Sequence, residues 1–337
     1  MERSRGNMRQ YVEEIRKLPD GSPVKGRFAV RSKEQVQDYK SKEGKYFFLD
    51  IADRTGSIRL KFWGGTDSRP AVELYNSLQP GDVVMLTGTV AQDRFDNAQV
   101  ITVNEGTQLL KRVEGVPAEE LPEYLPATRR DRRAMMDGLL GHVRAMGNAH
   151  LRALLDSFFS DAAFRDRYMS SPSAIVHHHN VVGGNLEHSL NVVGLCLRLC
   201  DSYPELDRDL LVTGAILHDV GKLDEYSSRA AITMTDEGRF LGHVAIGTRL
   251  VTERARSVPG FPPELLMKLG HMIQSHHGSF DPGNALKGMK IPEAAALHLA
   301  DEADAMTKEF LQAVEGARQG QDPWVYDRRI GNEIYTR

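Results

Sequence analysis

Hydrophobic and polar positions follow two different periods along this chain. From about Pro23 to Val103 they alternate in short runs separated by turn residues, the signature of strands with one buried face. The runs Val24–Arg31, Lys45–Asp53, Ser57–Trp63, Asp82–Ala91 and Ala98–Val103 predict five strands. Asp53-Arg54-Thr55-Gly56 predicts a tight hairpin between the second and third, with glycine supplying the positive φ that such turns use. Arg69–Leu78 predicts a short helix between the third and fourth. Residues 105–128 break the pattern and carry Pro117, Pro122 and Pro126, which predicts a linker. Beyond it the apolar repeat lengthens to that of helices, over Arg129–Met146, His150–Ser160, Leu186–Cys200, Arg208–Asp219, His243–Arg256, Pro263–Ser275 and Pro292–Ala317. Pro292 suits a first helical turn, and Gly221 reads as the stop of the helix that ends in His218-Asp219.

Five strands with a helix between the third and fourth is the OB-fold order, a small Greek-key barrel that often holds oligonucleotides. The expected organisation is therefore an all-β OB-fold over 1–104, a linker over 105–128, an all-α domain over 129–318 and a tail over 319–337. Alternation sorts the faces of two strands. Ile58, Leu60 and Phe62 share the core side of the third, leaving Arg59, Lys61 and Trp63 on the other. In the second, Phe47, Leu49 and Ile51 face the core and Tyr46, Phe48 and Asp50 face outward. Aromatic rings beside cations are what a single-stranded nucleic acid needs, stacking surfaces for bases and charge along phosphates. Tyr46, Phe48, Arg59, Lys61 and Trp63 are accordingly the candidate nucleic-acid-binding residues.

Composition changes this picture only slightly. With 337 residues, 41% of them hydrophobic, the chain can bury two cores, and a net charge of -3 gives it no broad basic signature. Residues 1–104 nevertheless hold 17 Lys and Arg against 14 Asp and Glu, so the front is mildly basic and the remainder acidic. That suits a polyanion at the front and cations at the back. The two cysteines, Cys196 and Cys200, lie four apart in an apolar helical stretch and read as buried structural thiols. No positively charged leader with an apolar run follows Met1, and no apolar stretch approaches the ~20 residues that span a bilayer. The expectation is a cytoplasmic protein with no membrane partner.

The candidate chemistry lies in the histidines. All 12 fall within residues 142–337, and one of them forms the pair His218-Asp219, followed by Gly221-Lys222. His188 precedes this pair, and His243, His276, His277 and Asp301 follow it. Imidazole with carboxylate suits Mn, Fe, Co, Ni or Zn and can leave coordination positions open for water and a phosphate oxygen. Neighbouring residues at a helix end diverge by roughly 100° about the axis, yet a carboxylate has two oxygens and can bridge two cations. Hydrolysis of a phosphoester is the reaction that such a cluster suggests. Before His188, the run His177-His178-His179 and the pair Gly183-Gly184 read as a loop that could approach a phosphate backbone, with His178 or His179 as donor. His298, three residues before Asp301, reads as a packing or supporting residue, and His142, His150 and His271 as ordinary ones.

This ordered set resembles the HD-domain phosphohydrolases, an all-helical metal-dependent family, and within it the two-metal branch. The resemblance implies that His188, His218, Asp219 and Asp301 hold one ion. It implies that Asp219 bridges to a second ion held by His243 and by His276 or His277, with Lys222 contacting the scissile phosphate or the leaving oxygen. Lys45 to Trp63 and Leu78 to Gly88 resemble the anticodon-binding type of OB-fold. The combination, with Gly183-Gly-Asn-Leu-Glu-His-Ser-Leu190 before the first ligand and Trp324-Val-Tyr-Asp-Arg-Arg-Ile-Gly331 at the close, resembles the YhaM-type 3′-to-5′ exoribonucleases. Asn185 departs from that pattern, where apolar residues are commoner. The family implies a divalent cofactor, two ions with manganese first, and single-stranded RNA or DNA as partner, and it is compatible with a homo-oligomer. The alternative expectation is an HD-type phosphodiesterase of a nucleotide or cyclic dinucleotide, with the barrel used for regulation.

Overall fold

The first unit is built on strands whose apolar faces close on one another. A computed structural model describes residues 10–93, 98–175, 179–228, 230–278, 288–316, 323–327 and 330–337. After a short helix, α1 (Val12–Ile15), come β1 (Pro23–Lys33), β2 (Gln37–Asp38), β3 (Lys45–Asp53), β4 (Gly56–Trp63), α2 (Ser68–Ser77), β5 (Val83–Gln92) and β6 (Gln99–Asn104). β1 is long enough to pair twice: Pro23–Ala29 runs antiparallel to β5, and Ala29–Lys33 runs antiparallel to β3, with a bulge between Val30 and Ser32. β4 pairs with β6 in parallel and β6 with β5 antiparallel, so the order β1-β3-β4-β6-β5 returns to β1 and closes a five-stranded barrel. Closure removes the open edges that a flat sheet would leave. Phe28, Phe47, Leu49, Ile51, Leu60, Leu86 and Ile101 fill the interior, and α1 adds Val12 and Ile15.

The β3–β4 hairpin has Arg54 and Thr55 at its tip and, as expected, a glycine with positive φ beside it, Gly56 at 157°. Asp53 fixes the turn: Oδ1 accepts from Thr55 N–H at 2.8 Å, and the buried Oδ2 accepts from Val12 N–H at 2.7 Å. The expected linker carries a further strand, β7 (Leu110–Val113), antiparallel to β5, and a 3-10 turn at Ala118–Tyr124. Only Leu110 of β7 is buried, so the strand has no alternation to announce it. Tyr124 is fully buried with Ala29, Val83 and Ala230. Chain contacts therefore divide the molecule into Met1–Ala127 with Ser228–Thr233 and Ala313–Arg337, and Thr128–Ser227 with Met234–Gln312.

The second unit is dominated by α3 (Arg132–Arg144), α4 (Ala149–Phe159), α5 (Ala162–Ser170), α6 (Gly184–Ser202), α7 (Arg208–Leu217), α8 (Lys222–Glu225), α9 (Asp236–Ser257), α10 (Pro263–Ser275) and α11 (Pro292–Gly316). Local chemistry starts five of these helices: Asp131, Asn148, Asp161, Asp207 and Thr235 each accept a backbone N–H of the first turn. α7 is apolar on every side, and Leu210–Leu217 is buried throughout, as a central helix should be. The sequence pattern misses α5 because only two of its residues, Phe164 and Tyr168, are buried, too few to impose a period. The expectation of an all-α region is corrected by a small hairpin, β8 (Tyr226–Ser228) with β9 (Ile232–Met234). The expected tail likewise forms a hairpin, β10 (Trp324–Asp327) with β11 (Asn332–Tyr335). Among the described residues no helix is long and apolar enough to cross a membrane.

Leu49 is fully buried in the barrel. Leu49→Ala should cost about 2–5 kcal/mol, seen as an earlier denaturant transition followed through Trp63 fluorescence; an unchanged midpoint would contradict this core assignment.

Candidate metal centre and nucleic-acid face

Asp219 follows the C-terminus of α7, where His218 is the capping residue. The carbonyl end of a helix carries partial negative charge, which favours cations. α10 ends in the same way on His276. Around Asp219 the histidines divide between its two oxygens. Oδ2 lies 3.4 Å from His218 Nε2 and 3.6 Å from His188 Nε2. Oδ1 lies 3.6 Å from His243 Nε2 and 3.7 Å from His276 Nε2. On the first side, Asp301 Oδ1 comes to 3.0 Å from His188 Nε2, and the ligand atoms of His188, His218 and Asp301 lie within 4.8 Å of one another. On the second side, His243, His276 and His277 form an equally tight group, with His243 and His277 Nε2 atoms 2.9 Å apart. His276 and His277 thus both face the second group, where the sequence left a choice between them.

The outer nitrogens of four of these rings are held by acceptors. His218 Nδ1 meets the Ala215 carbonyl at 2.9 Å and His276 Nδ1 the Ile273 carbonyl at 2.7 Å. His188 Nδ1 meets Asp304 Oδ2 at 2.7 Å, and His243 Nδ1 meets the Glu225 carboxylate at 3.2 Å. Each acceptor selects the tautomer with its proton on Nδ1 and leaves Nε2 facing inward, the arrangement that orients metal-ligating histidines. The sequence analysis missed Asp304 and Glu225. Asp304 lies one helical turn after Asp301 and Glu225 three residues after Lys222, spacings that could have signalled both. His298 stands behind the centre, its Nδ1 meeting the His276 carbonyl at 2.7 Å, a supporting position as expected.

Among the described residues, the buried Asp219 Oδ1 and His276 Nε2 have no hydrogen-bond partner. A buried polar atom without a partner is costly, and both face the second histidine group, where a cation would satisfy them. The two groups on either side of Asp219 therefore offer donors that suit a divalent cation. The electrostatics agree. Burial opposes ionisation of Asp219, but Lys222 and His218 outweigh it and hold the carboxyl well below its ordinary range. Burial lowers His276 strongly, aided by His277 and His218, so the ring is neutral and can ligate. Burial also opposes charge on His188, but Asp301 and Asp304 raise it to about 9. Lys222 is buried, with Nζ 2.6 Å from Asp219 Oδ2.

In the loop before His188, the described residues His179, Gly183 and Gly184 are buried within the protein rather than open to a phosphate. His178 lies outside the described residues. His179 is fully buried at φ 52°, its Nε2 2.9 Å from Asp304 Oδ2, so it braces the carboxylate behind His188. A Cβ on Gly184 would lie 1.9 Å from the His179 carbonyl oxygen, and Gly183, at φ 81°, caps α6 against Arg132. Both glycines thus serve close packing of the protein on itself. Asn185 is fully buried and makes a long hydrogen bond, 3.5 Å, to the Asp219 carbonyl. Gly221 has helical φ and does not end α7 as a left-handed cap; a Cβ there would lie 2.0 Å from the His243 carbonyl oxygen. Cys196 is buried in the helical core, and burial pushes its thiol up to about 12.

On the barrel, register sets the outward face. Tyr46 pairs with Trp63, Phe48 with Lys61 and Asp50 with Arg59. Tyr39, which the sequence analysis did not single out, stacks on Trp63 with ring centroids 5.6 Å apart, and Tyr46 lies 5.4 Å from Trp63. The Lys61 ammonium sits 4.1 Å over the Trp63 ring. Phe48 is buried under Arg59, whose guanidinium lies 4.0 Å over the ring and also pairs with Glu34. Phe48 therefore offers no stacking surface, and the rings left partly accessible are those of Tyr39, Tyr46 and Trp63, each half-buried.

Two expectations follow for metal content. Asp219→Ala should lose both ions. Gly221→Ala should displace His243 and lose one ion while the His188 side retains its own, as counted by elemental analysis; equal loss in both variants would contradict the division. Because metal at His188 Nε2 must displace a proton held up to about 9, affinity should rise with pH and binding should release protons, read by calorimetry in buffers of different ionisation enthalpy. Affinity independent of pH between 6 and 9 would exclude His188 as a ligand.

Comparison with known proteins agrees with this geometry. Residues 185–306 match the HD domain family, and residues 26–108 match the OB-fold nucleic acid binding domain family. The chain is 30% identical to the 3′-5′ exoribonuclease YhaM of Bacillus subtilis over 283 residues, 82% of this chain and 84% of the relative. It is 30% identical to the Bacillus velezensis YhaM, covering 89% of this chain and 90% of the relative, and 28% identical to that of Listeria monocytogenes, covering 86% and 88%. Given identity at this level across both domains, the chain belongs to the YhaM family of 3′-5′ exoribonucleases.

Proposed function

We propose that this protein is a metal-dependent exoribonuclease that shortens single-stranded RNA from its 3′ end to mononucleotides, and that the same centre accepts single-stranded DNA. The observation that carries this reading is the Asp219 carboxylate, with one oxygen toward His188 and His218 and the other toward His243 and His276. Two divalent ions held there, manganese first, would polarise the phosphodiester and make an attacking water acidic enough to act near neutral pH. His188, His218, Asp219 and Asp301 would hold one ion, and Asp219 with His243, His276 and His277 the other. Lys222 would hold positive charge beside the leaving oxygen, where negative charge develops. The barrel contributes binding without chemistry: Tyr39, Tyr46 and Trp63 stack bases while Lys61 meets phosphate. The 3′-to-5′ polarity rests on the names of the relatives. A cytoplasmic location is supported by the two free thiols, Cys196 and Cys200.

Incubation of 5′-end-labelled single-stranded RNA with protein and Mn²⁺ should give a ladder shortening from the 3′ end, abolished by chelator and by Asp219→Ala. RNA left intact under every metal tried would overturn the reading. Trp63→Ala should weaken capture of long RNA by about tenfold, the scale of one stacked base, with a much smaller effect on a small phosphodiester. Equal loss on both substrates would remove the barrel face from substrate capture.

A further inference from the structure

We infer that Arg239-Phe240-Leu241 is a stacking platform for the base of the nucleotide whose phosphodiester lies at the metal centre; this rests on the exoribonuclease reading above. α9 does not run straight into its metal-facing residue. It breaks at Gly242, where φ is 69°, one residue before His243. Glu225 pins the chain on both sides of that break. Gly238 is buried against it so closely that a Cβ would lie 2.5 Å from the Glu225 carbonyl oxygen. His243 donates its backbone N–H to the Glu225 carboxylate at 3.1 Å, and the same carboxylate meets its ring.

Between these two anchors the chain turns outward. Phe240 is 88% exposed, the most exposed large apolar side chain among the described residues, and Leu241 is 52% exposed. Arg239 beside them is exposed as well. Three residues of backbone reach at most about 11 Å, so the Phe240 Cα lies within that distance of the His243 Cα. A phenyl ring left in water on a chain so tethered to a metal-facing histidine, with a cation next to it in sequence, matches a nucleotide: the ring takes the base and the guanidinium the phosphate. Stacking tolerates any base, which suits an enzyme that must accept each nucleotide of a strand in turn. The charged neighbour and the tether to a metal-facing histidine favour nucleic acid over a second copy of the chain as the occupant.

The test compares two 5′-labelled RNAs, one ending in an ordinary nucleotide and one in an abasic ribose. The intact protein should prefer the first by roughly tenfold in kcat/KM, and Phe240→Ala should lose that preference while Phe240→Trp restores it. Metal content should match the parent in both variants. A preference unchanged in Phe240→Ala would overturn the platform while leaving the exoribonuclease reading intact. Failure of the parent protein to cut either RNA would instead overturn that reading. A second measurement then still decides the platform: AMP should quench Phe240→Trp fluorescence beyond the quenching seen in the parent, and ribose 5-phosphate should not. Equal quenching by both ligands, or by neither, would sink it. A change in sedimentation of Phe240→Ala without a change in substrate preference would assign the ring to self-association and overturn the proposal.

Discussion

A carboxylate taken out of water needs positive charge or donors at both of its oxygens, and Asp219 is 1% exposed. Much of the helical unit serves that need. α7 brings Asp219 to the centre beside His218, α6 brings His188, α9 brings His243, and α10 ends on His276 and leads into His277. α11 adds Asp301 on the side of Oδ2. Among the described residues Lys222 supplies the only lysine contact, at Oδ2, so the orphaned oxygen is Oδ1 on the side of the three-histidine group. The asymmetry is what a bridging ligand would leave when one of its partners is a cation from outside the chain.

Rings converging on one point must be kept from turning away, and a second layer of acceptors does so. Two of these acceptors are main-chain carbonyls one turn before the ring they hold, Ala215 for His218 and Ile273 for His276. The other two are carboxylates from distant parts of the chain. Asp304 serves His188 and His179 with one oxygen and accepts from the Asn191 amide at 2.9 Å with the other. Opposing influences hold this carboxyl low: burial would raise it, while His179 and His188 outweigh burial. Glu225 does the same for His243 and also fixes the backbone before it, so the ligand and the neighbouring break in α9 share one anchor.

The barrel solves a simpler problem. Residues directly opposite across an antiparallel pair share a face, so the Tyr46–Trp63 and Phe48–Lys61 pairs put rings and a cation together without further design. Arg59 then covers Phe48, and Tyr39 arrives from the loop after β2 to stack on Trp63. Charge and aromatic surface are thereby concentrated at one end of the β3–β4 pair.

By itself the sequence determined what depends on short-range periodicity and residue chemistry. The five barrel strands, the helices with an apolar stripe and a good N-cap, and the metal-facing set around His218-Asp219 all follow from spacing and side-chain type. Tertiary structure decided what depends on approach between distant segments. Gly184 and Gly221 looked like a phosphate loop and a helix stop, but each makes room for a backbone carbonyl, of His179 and His243 respectively. His179 looked exposed and is buried; Phe48 looked exposed and lies under Arg59. β7 and α5 were hidden because too few of their residues are buried to impose a period. The spacing of Asp304 from Asp301 and of Glu225 from Lys222 is visible in the chain, but which histidine each carboxylate steadies is set only by its reach in space. Periodicity records which face of a segment is buried, whereas the identity of the neighbour across that face exists only once the chain has folded.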